Sequence, residues 1–246
     1  MEEKISEYSA YAHILHRSCQ TVEKDVIFTA ETVAPQITDL LAEYSNLAVI
    51  RRDTDIVQLH GAILVCREYN GYILNDEYEL DIYIPLNSDQ LPYAIDTGEH
   101  IDNNYCHYYS DRRLCLETDT RIRIRFVNGF NLIEWMKEYV EVYYFSYEYY
   151  KRFGVYPFGE RSHYDIGILQ TYQDLFCTSS IQGAFALMQY ISDNNYRGHT
   201  LCPCGSRKHI RSCHGDVVLS YMKDMRLKKI VLNDTKEIER KLNNNY

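Results

Sequence analysis

The stretch "DIVQLHGAILVCREYNGYILNDEYELDIYIPL", residues 55–86, decides the fold class. Its first half is an apolar run, and apolar and polar residues alternate along "YELDIYIPL", as expected for strands. Asn70 and Gly71 separate the two runs and favour a tight hairpin turn, because both residue types accept positive φ. The stretch therefore predicts two consecutive antiparallel strands, and we expect Cys66 to lie in the core that they form.

Upstream of this hairpin the sequence predicts helices. Apolar residues at alternating spacings of three and four predict an amphipathic helix over 3–22, with Cys19 also expected in the core. A second helix is predicted from Pro35 to Asn46, because proline fits the first position of a helix and "ITDLLAEY" has helical spacing.

Downstream of the hairpin, proline interrupts the strands. Pro85 and Pro92 are expected to break regular pairing, and a loop rich in Asn, Asp and Tyr then reaches Cys115. "RIRIRF" at 121–126 alternates arginine with apolar residues, which predicts a further strand with one apolar face. The remaining predicted segments are a long Tyr-rich helix over 131–153 ending at Gly154, a helix within 180–192, a linker at 193–198 and mostly helical structure over 216–242.

The net charge of −9 is unevenly distributed. Residues 197–246 contain eleven Lys and Arg against five Asp and Glu, a net +6, which leaves −15 for residues 1–196 and indicates two modules. No run approaches the ~20 apolar residues of a membrane span, and "MEEKISEYSAYAH" lacks the form of a signal peptide. We expect a cytoplasmic protein without membrane association, whose eight cysteines are reduced.

A Cys/His quartet occurs in "LCPCGSRKHIRSCHG", residues 201–215. It offers two short chelating pairs separated by eight residues, Cys202 with Cys204 and Cys213 with His214. Such quartets suit tetrahedral zinc, which thiolate and imidazole ligands enclose completely. His209 is an alternative fourth ligand, and a redox cysteine pair is the alternative to a metal site.

The segment resembles the SEC-C motif, whose pattern is CPCGS, a basic run, then Cys-His or Cys-Cys and Gly; the match covers 202–215. The resemblance implies a structural zinc ion in a small knuckle and docking to protein or ribosomal partners. Arg207, Lys208 and Arg211 would supply a basic face for docking. They equally suit contact with nucleic acid, or a solvated surface without a partner.

The body of the chain reads "YELDIYIPLNSDQLPYAIDTGEHIDNNYCHYYSDRRLCLETD" over 78–119. A helix, a strand meander, two proline landmarks and a His-containing loop leading to Leu-Cys-Leu occur here in the order of the ubiquitin-conjugating enzyme fold. About residues 35–150 resemble this family, most closely its prokaryotic members associated with anti-phage defence. The resemblance implies that Cys115 is a nucleophile that forms a thioester with a ubiquitin-like modifier or a protein C-terminus and transfers it to an amine; an activating enzyme is a candidate partner, and the sequence leaves open whether one is needed.

Thioester transfer requires a reachable thiolate at Cys115. Leu114 and Leu116 would anchor an extended segment and leave the cysteine on the other face. Arg112 and Arg113 would either favour the thiolate or contact an acidic partner. The family's His-Pro-Asn triplet is absent. Candidate partners for the thiol and candidate oxyanion donors are therefore His100, His107, His163, Asn103, Asn104 and backbone N–H groups.

The sequence thus predicts an α+β protein, in which an antiparallel meander with flanking helices is followed by a zinc knuckle and a C-terminal helix. The predicted domains are an N-terminal helical extension (1–34), a ubiquitin-conjugating-like domain with a long helix (35–177), a helix and linker (178–198), a SEC-C-like knuckle (199–216) and a basic helical tail (217–246). The predicted activity is acyl transfer on Cys115. The alternatives are a catalytically inactive protein-binding adaptor, a cysteine hydrolase using His107 or His163, and a nucleic-acid-binding zinc protein, which the overall acidity disfavours.

Overall fold

The computed structural model describes residues 26–193 and 195–244, and over these residues the chain is an α+β protein. It divides into two compact units. The first, the sheet unit, contains residues 26–122 and 128–160; the second, the helical unit, contains residues 123–127, 161–193 and 195–244. The helix predicted over 3–22, with Cys19, lies outside the described residues.

The sheet unit is built on a four-stranded antiparallel meander in the order β1-β2-β3-β4. Its central hairpin pairs β2 (Ile56–Tyr69) with β3 (Tyr72–Pro85) over their full length. Asn70 (φ 48°) and Gly71 (φ 78°) form the turn, so the predicted hairpin is confirmed. The prediction for Cys66 is wrong: the side chain is exposed, because β2 alternates and turns its neighbour Val65 into the core instead.

Two further strands flank this hairpin, and the sequence pattern does not predict them. β1 (Leu47–Arg52) pairs with β2 and is exposed along most of its length, so it has little apolar signal. β4 (Tyr93–Asp96) pairs with the end of β3 directly after Pro92. The loop expected from Pro85 to Cys115 therefore contains a short strand, and proline precedes it without breaking it.

Helix α1 (Ala30–Glu43) begins five residues before the predicted start at Pro35, so that boundary is wrong. Thr29 and Thr32 form a reciprocal capping box at its N-terminus. Phe28 and Val33, the positions of a hydrophobic staple, are both buried. These local contacts fix the start, and Pro35 is accommodated inside the helix.

The strand predicted over 121–126 is wrong, because this segment forms helix α2 (Asp119–Arg125). The Thr118 hydroxyl accepts a hydrogen bond from the Arg121 N–H at 3.3 Å, as an N-terminal cap does. Ile122 and Phe126 are buried and four residues apart, so the apolar residues of "RIRIRF" also fit one helical face.

The predicted long Tyr-rich helix is confirmed and consists of three consecutive segments. They are α3 (Leu132–Trp135), a π-helical turn (Met136–Val140) and α4 (Glu141–Phe153), which ends at Gly154 in the left-handed region. Tyr144 on α4 stacks on Tyr78 of β3 with ring centroids 4.2 Å apart. The helix therefore covers the inner face of the sheet, where the core of this unit lies.

The helical unit contains α5 (Tyr164–Phe176), α6 (Ile181–Asp193), α7 (Gly215–Lys223) and α8 (Met225–Asn244). This confirms the predicted helix within 180–192 and the helical structure predicted over 216–242. One apolar core joins these helices to Cys202 and Ile210 of the intervening loop. Among the residues that the structure describes, no helix combines the length and apolar character needed to cross a bilayer.

Candidate functional site

The four predicted metal ligands converge at the loop between α6 and α7. Their ligand atoms all lie within 4.8 Å of one another. Cys202 Sγ and Cys213 Sγ each lie 3.2 Å from His214 Nδ1, and Cys204 Sγ lies 3.6 Å from Cys213 Sγ. The structure therefore brings the quartet Cys202, Cys204, Cys213 and His214 together as a group that can hold a metal ion.

A short two-stranded turn positions the first cysteine pair. Leu201 pairs with His209, and the Cys202 N–H donates to the Lys208 carbonyl at 2.7 Å. Gly205 adopts φ 82°, a conformation that glycine tolerates best, where the chain reverses after Cys204. His209, the alternative fourth ligand, pairs with Leu201 in this turn and is exposed to solvent. It does not belong to the four-residue cluster.

The second pair of ligands is positioned by a buried anchor and a helix start. Ile210 is fully buried in the core of the helical unit and begins a single 3₁₀ turn that leads to Cys213. His214 directly precedes α7, whose Gly215 is buried. Because both ends of the loop are tied to the core, the four ligands are held in place by the fold.

The cluster has the dimensions of a tetrahedral metal site. With metal–sulfur bonds of about 2.3 Å and metal–nitrogen bonds of about 2.0 Å, tetrahedral geometry requires S···S edges of about 3.8 Å and S···N edges of about 3.5 Å. The separations of 3.6 Å (S···S) and 3.2 Å (S···N) differ from these by a few tenths of an ångström. The donor set of three thiols and an imidazole is one that suits zinc.

The thiols of this cluster have different protonation tendencies. Burial raises the pKa of the Cys202 thiol to about 12. Burial also acts to raise the pKa of Cys204, but hydrogen bonds from the Ser206 hydroxyl and N–H, together with those from Cys202 and Cys213, outweigh it, so the net pKa is lowered. The Ser206 hydroxyl also lies 3.2 Å from Cys213 Sγ. Ser206 of the CPCGS sequence thus contacts the sulfur atoms themselves, as the groups that orient the ligands of metal sites do.

The candidate nucleophile Cys115 lies in an extended segment beside the edge strand β4. The Leu114 N–H donates to the Ala94 carbonyl at 2.9 Å, and the Cys115 N–H donates to the His107 carbonyl at 2.9 Å. Leu114 is buried and Cys115 is partly exposed. The predicted anchoring is therefore confirmed for Leu114, whereas Leu116 is only partly buried, as Cys115 is.

The surroundings of Cys115 favour the neutral thiol. Burial raises its pKa above the ordinary value, the nearby carboxylates of Glu117 and Asp119 raise it further, and a hydrogen bond from the Tyr109 hydroxyl lowers it in part. Tyr109 was not singled out in the sequence. Its position six residues before the cysteine carries no recognisable motif.

The two arginines before Cys115 are engaged elsewhere. Arg113 pairs with Asp111 at 2.7 Å and lies over the ring of Tyr93. The Arg112 side chain donates to the Tyr108 hydroxyl at 3.1 Å. Neither of these contacts involves the thiol, whose pKa is raised, so the structure gives no support to the expectation that the arginines favour the thiolate, and contact with an acidic partner stays a prediction.

His107 contributes its backbone and not its ring to the Cys115 segment. Its carbonyl accepts from the Cys115 N–H and from the Tyr143 hydroxyl, at 2.9 and 3.0 Å. The ring packs edge-on against Tyr156, with centroids 5.3 Å apart, and its Nε2 lies 3.6 Å from a carboxylate oxygen of Glu160. The ring thus faces the residues that follow α4.

The other two candidate histidines have different partners. The ring Nδ1 and the N–H of His100 lie 3.2 and 2.8 Å from the fully buried carboxylate of Asp96, which also accepts from the Tyr144 hydroxyl. The His100 ring covers Gly98 so closely that a Cβ there would clash with it. His163 belongs to the helical unit and precedes the first residue of α5. The catalytic roles of His100, His107 and His163 stay predictions.

Comparison with known proteins found no matching family model, no matching curated protein and no matching solved structure.

Proposed function

We propose that this chain is a ubiquitin-conjugating-like protein with a SEC-C-like zinc centre. In this proposal the sheet unit receives a ubiquitin-like modifier, or the C-terminus of a target protein, as a thioester on Cys115. The zinc centre stabilises the helical unit and presents a docking surface for a protein partner. The resemblance to prokaryotic members of the family is the basis for proposing a role in bacterial anti-phage defence.

The convergence of the Cys202, Cys204, Cys213 and His214 ligand atoms within 4.8 Å is the observation that carries the zinc part. Four protein ligands leave no open position for water or substrate, which is typical of structural zinc and unsuited to hydrolysis. The loop has little core of its own beyond Cys202 and Ile210. Metal binding would therefore contribute directly to the folding free energy of this segment.

The order of elements around Cys115 supports the acyl-transfer part. A helix, a four-stranded antiparallel meander, a cysteine in the loop after the fourth strand and a long helix follow one another in the sheet unit. In the proposed reaction the Cys115 thiolate attacks the carbonyl carbon of an activated C-terminal thioester, a new C–S bond forms, and the donor thiol leaves. An acceptor amine then attacks the same carbon, so that an amide forms and the Cys115 thiol is released.

The raised pKa of Cys115 means that this reaction requires help from outside the resting chain. A neutral thiol is a poor nucleophile, so a base or a positive charge supplied by the donor protein would have to promote its ionisation. The same observation favours a second candidate function, a catalytically inactive adaptor in which the sheet unit binds a protein and the zinc centre docks another.

The two candidates are separated by a thioester exchange assay. The full-length chain is incubated with a synthetic peptide that bears a C-terminal thioester, and adducts are mapped by mass spectrometry with and without a reducing thiol. The enzyme proposal expects a reducible adduct on Cys115 that is absent in Cys115→Ser and retained in Cys66→Ser, the matched exposed cysteine of the same unit. An adduct pattern that is unchanged by Cys115→Ser would contradict the enzyme proposal, and the inactive adaptor would be the remaining candidate.

A further inference from the structure

A second cluster of metal-ligating side chains lies in the sheet unit, outside the quartet of the helical unit. Cys106 and His107 come from the loop after β4, and Glu160 comes from the segment after α4. His107 Nε2 lies 3.6 Å and Cys106 Sγ lies 4.0 Å from the same oxygen, Oε1 of Glu160. The Cys106 thiol and a ring nitrogen of His107 are themselves within 4.8 Å of each other.

These separations are compatible with three ligands around one ion. The 3.6 Å between His107 and Glu160 is longer than a hydrogen bond. Zinc bonds of about 2.0–2.1 Å to nitrogen, 2.0–2.2 Å to oxygen and 2.3 Å to sulfur give tetrahedral N···O and S···O edges of about 3.4 and 3.6 Å. The observed N···O and S···O separations of 3.6 and 4.0 Å exceed these edges by about 0.2 and 0.4 Å.

The aromatic side chains around the cluster hold its members in position. The Tyr156 hydroxyl lies 3.2 Å from Cys106 Sγ, and the Tyr156 ring packs against the ring of His107. Tyr156 is itself stacked on Tyr150 of α4, with centroids 4.5 Å apart and planes 14° from parallel. Such supporting contacts orient ligands at metal sites.

We propose that Cys106, His107 and Glu160 form a second zinc site with three protein ligands. A thiolate, an imidazole and a carboxylate are the ligand types that zinc accepts in sites of this kind. The ion would tie the loop after β4 to the segment after α4. Because the His107 carbonyl holds the Cys115 N–H, the ion would also fix the segment that carries the candidate nucleophile.

One consequence separates this site from the catalytic role predicted for His107. A ring nitrogen that coordinates zinc is unavailable as a general base. His107 would then support Cys115 through its backbone, and the base for acyl transfer would have to come from another group.

The test is the zinc content of the full-length chain. The purified protein is stripped with a chelator, reloaded with zinc chloride, freed of excess metal and analysed by elemental mass spectrometry. We expect two zinc ions per chain in the unmodified protein, one in Cys106→Ala, one in Cys204→Ala and two in the control Cys66→Ala. Glu160→Gln, at an exposed position, is expected to lose the same ion with an unchanged circular dichroism spectrum.

The outcomes also distinguish the two metal sites. One zinc ion per chain, retained in both Cys106→Ala and Glu160→Gln, would overturn the second site and leave the quartet intact. Loss of one ion in Cys106→Ala without any loss in Cys204→Ala would support the second site and contradict the proposed SEC-C-like centre.

Discussion

The hydrogen bond from Tyr109 to Cys115 gives the most specific expectation about reactivity. Tyr109→Phe removes only the hydroxyl that lowers the pKa of the thiol, and the ring that flanks the cysteine is kept. The variant should therefore raise the pKa of Cys115 further and slow its alkylation at neutral pH, since the thiolate is the reacting form.

The size of this effect follows from the exposure of the donor. A hydrogen bond to a charged group contributes about 1.5–3 kcal/mol. Tyr109 is 46% exposed, so solvent screening reduces this to about 1 kcal/mol. Because 1.36 kcal/mol corresponds to a tenfold change in an equilibrium constant, a loss of about 1 kcal/mol should lower the thiolate fraction about fivefold.

The assay is alkylation by iodoacetamide at pH 7.5, followed for each cysteine by peptide mass spectrometry. The exposed Cys66 and Cys177 of the same chain serve as internal references. We expect a rate at Cys115 about fivefold lower in Tyr109→Phe, with unchanged rates at the references. An unchanged or faster rate at Cys115 would refute the assignment of Tyr109 as the group that stabilises the thiolate.

Three further expectations concern other parts of the structure. Because burial raises the pKa of Cys115, its alkylation rate in the unmodified chain should continue to rise above pH 9, and a plateau below pH 8 would contradict this. Ile210→Ala should lower the free energy of unfolding of the helical unit by about 3 kcal/mol in urea titrations, since the side chain is fully buried. The matched control Leu201→Ala, 63% exposed, should change it by less than about 0.5 kcal/mol. Tyr44→Phe should lower the unfolding free energy of the sheet unit by about 1–2 kcal/mol. The reason is that the Tyr44 hydroxyl donates at 2.6 Å to the Glu141 carboxylate, which also pairs with Arg67. An unchanged denaturation midpoint would show that this contact contributes nothing.

The parts of the fold that could be predicted from sequence are those that local chemistry specifies. Asn70 and Gly71 encode the turn of the β2–β3 hairpin without help from the rest of the chain. The sequence of 121–126 wrongly predicts a strand. Its apolar residues alternate with arginine, as in a strand, and Ile122 and Phe126 are also spaced four residues apart, as on one face of a helix. Thr118 as a cap, with Ile122 and Phe126 four residues apart, is the local signal that resolves the ambiguity in favour of a helix.

The same distinction applies to the sites. All four members of the quartet lie within thirteen residues, so the spacing alone brings them together. Glu160 lies more than fifty residues after Cys106, and only the packing of α4 against the sheet makes them neighbours. The adjacent pair Cys106-His107, which has the same form as Cys213-His214, is the one trace of the second cluster in the sequence.

Zinc-edge X-ray absorption on the zinc-loaded Cys106→Ala chain would measure the coordination of the quartet directly. We expect one zinc ion bound by three sulfur atoms at about 2.3 Å and one nitrogen at about 2.0 Å, donated by Cys202, Cys204, Cys213 and His214. A shell of oxygen and nitrogen alone, or a chain that takes up no zinc and contains a Cys202–Cys204 disulfide, would contradict the proposed metal centre.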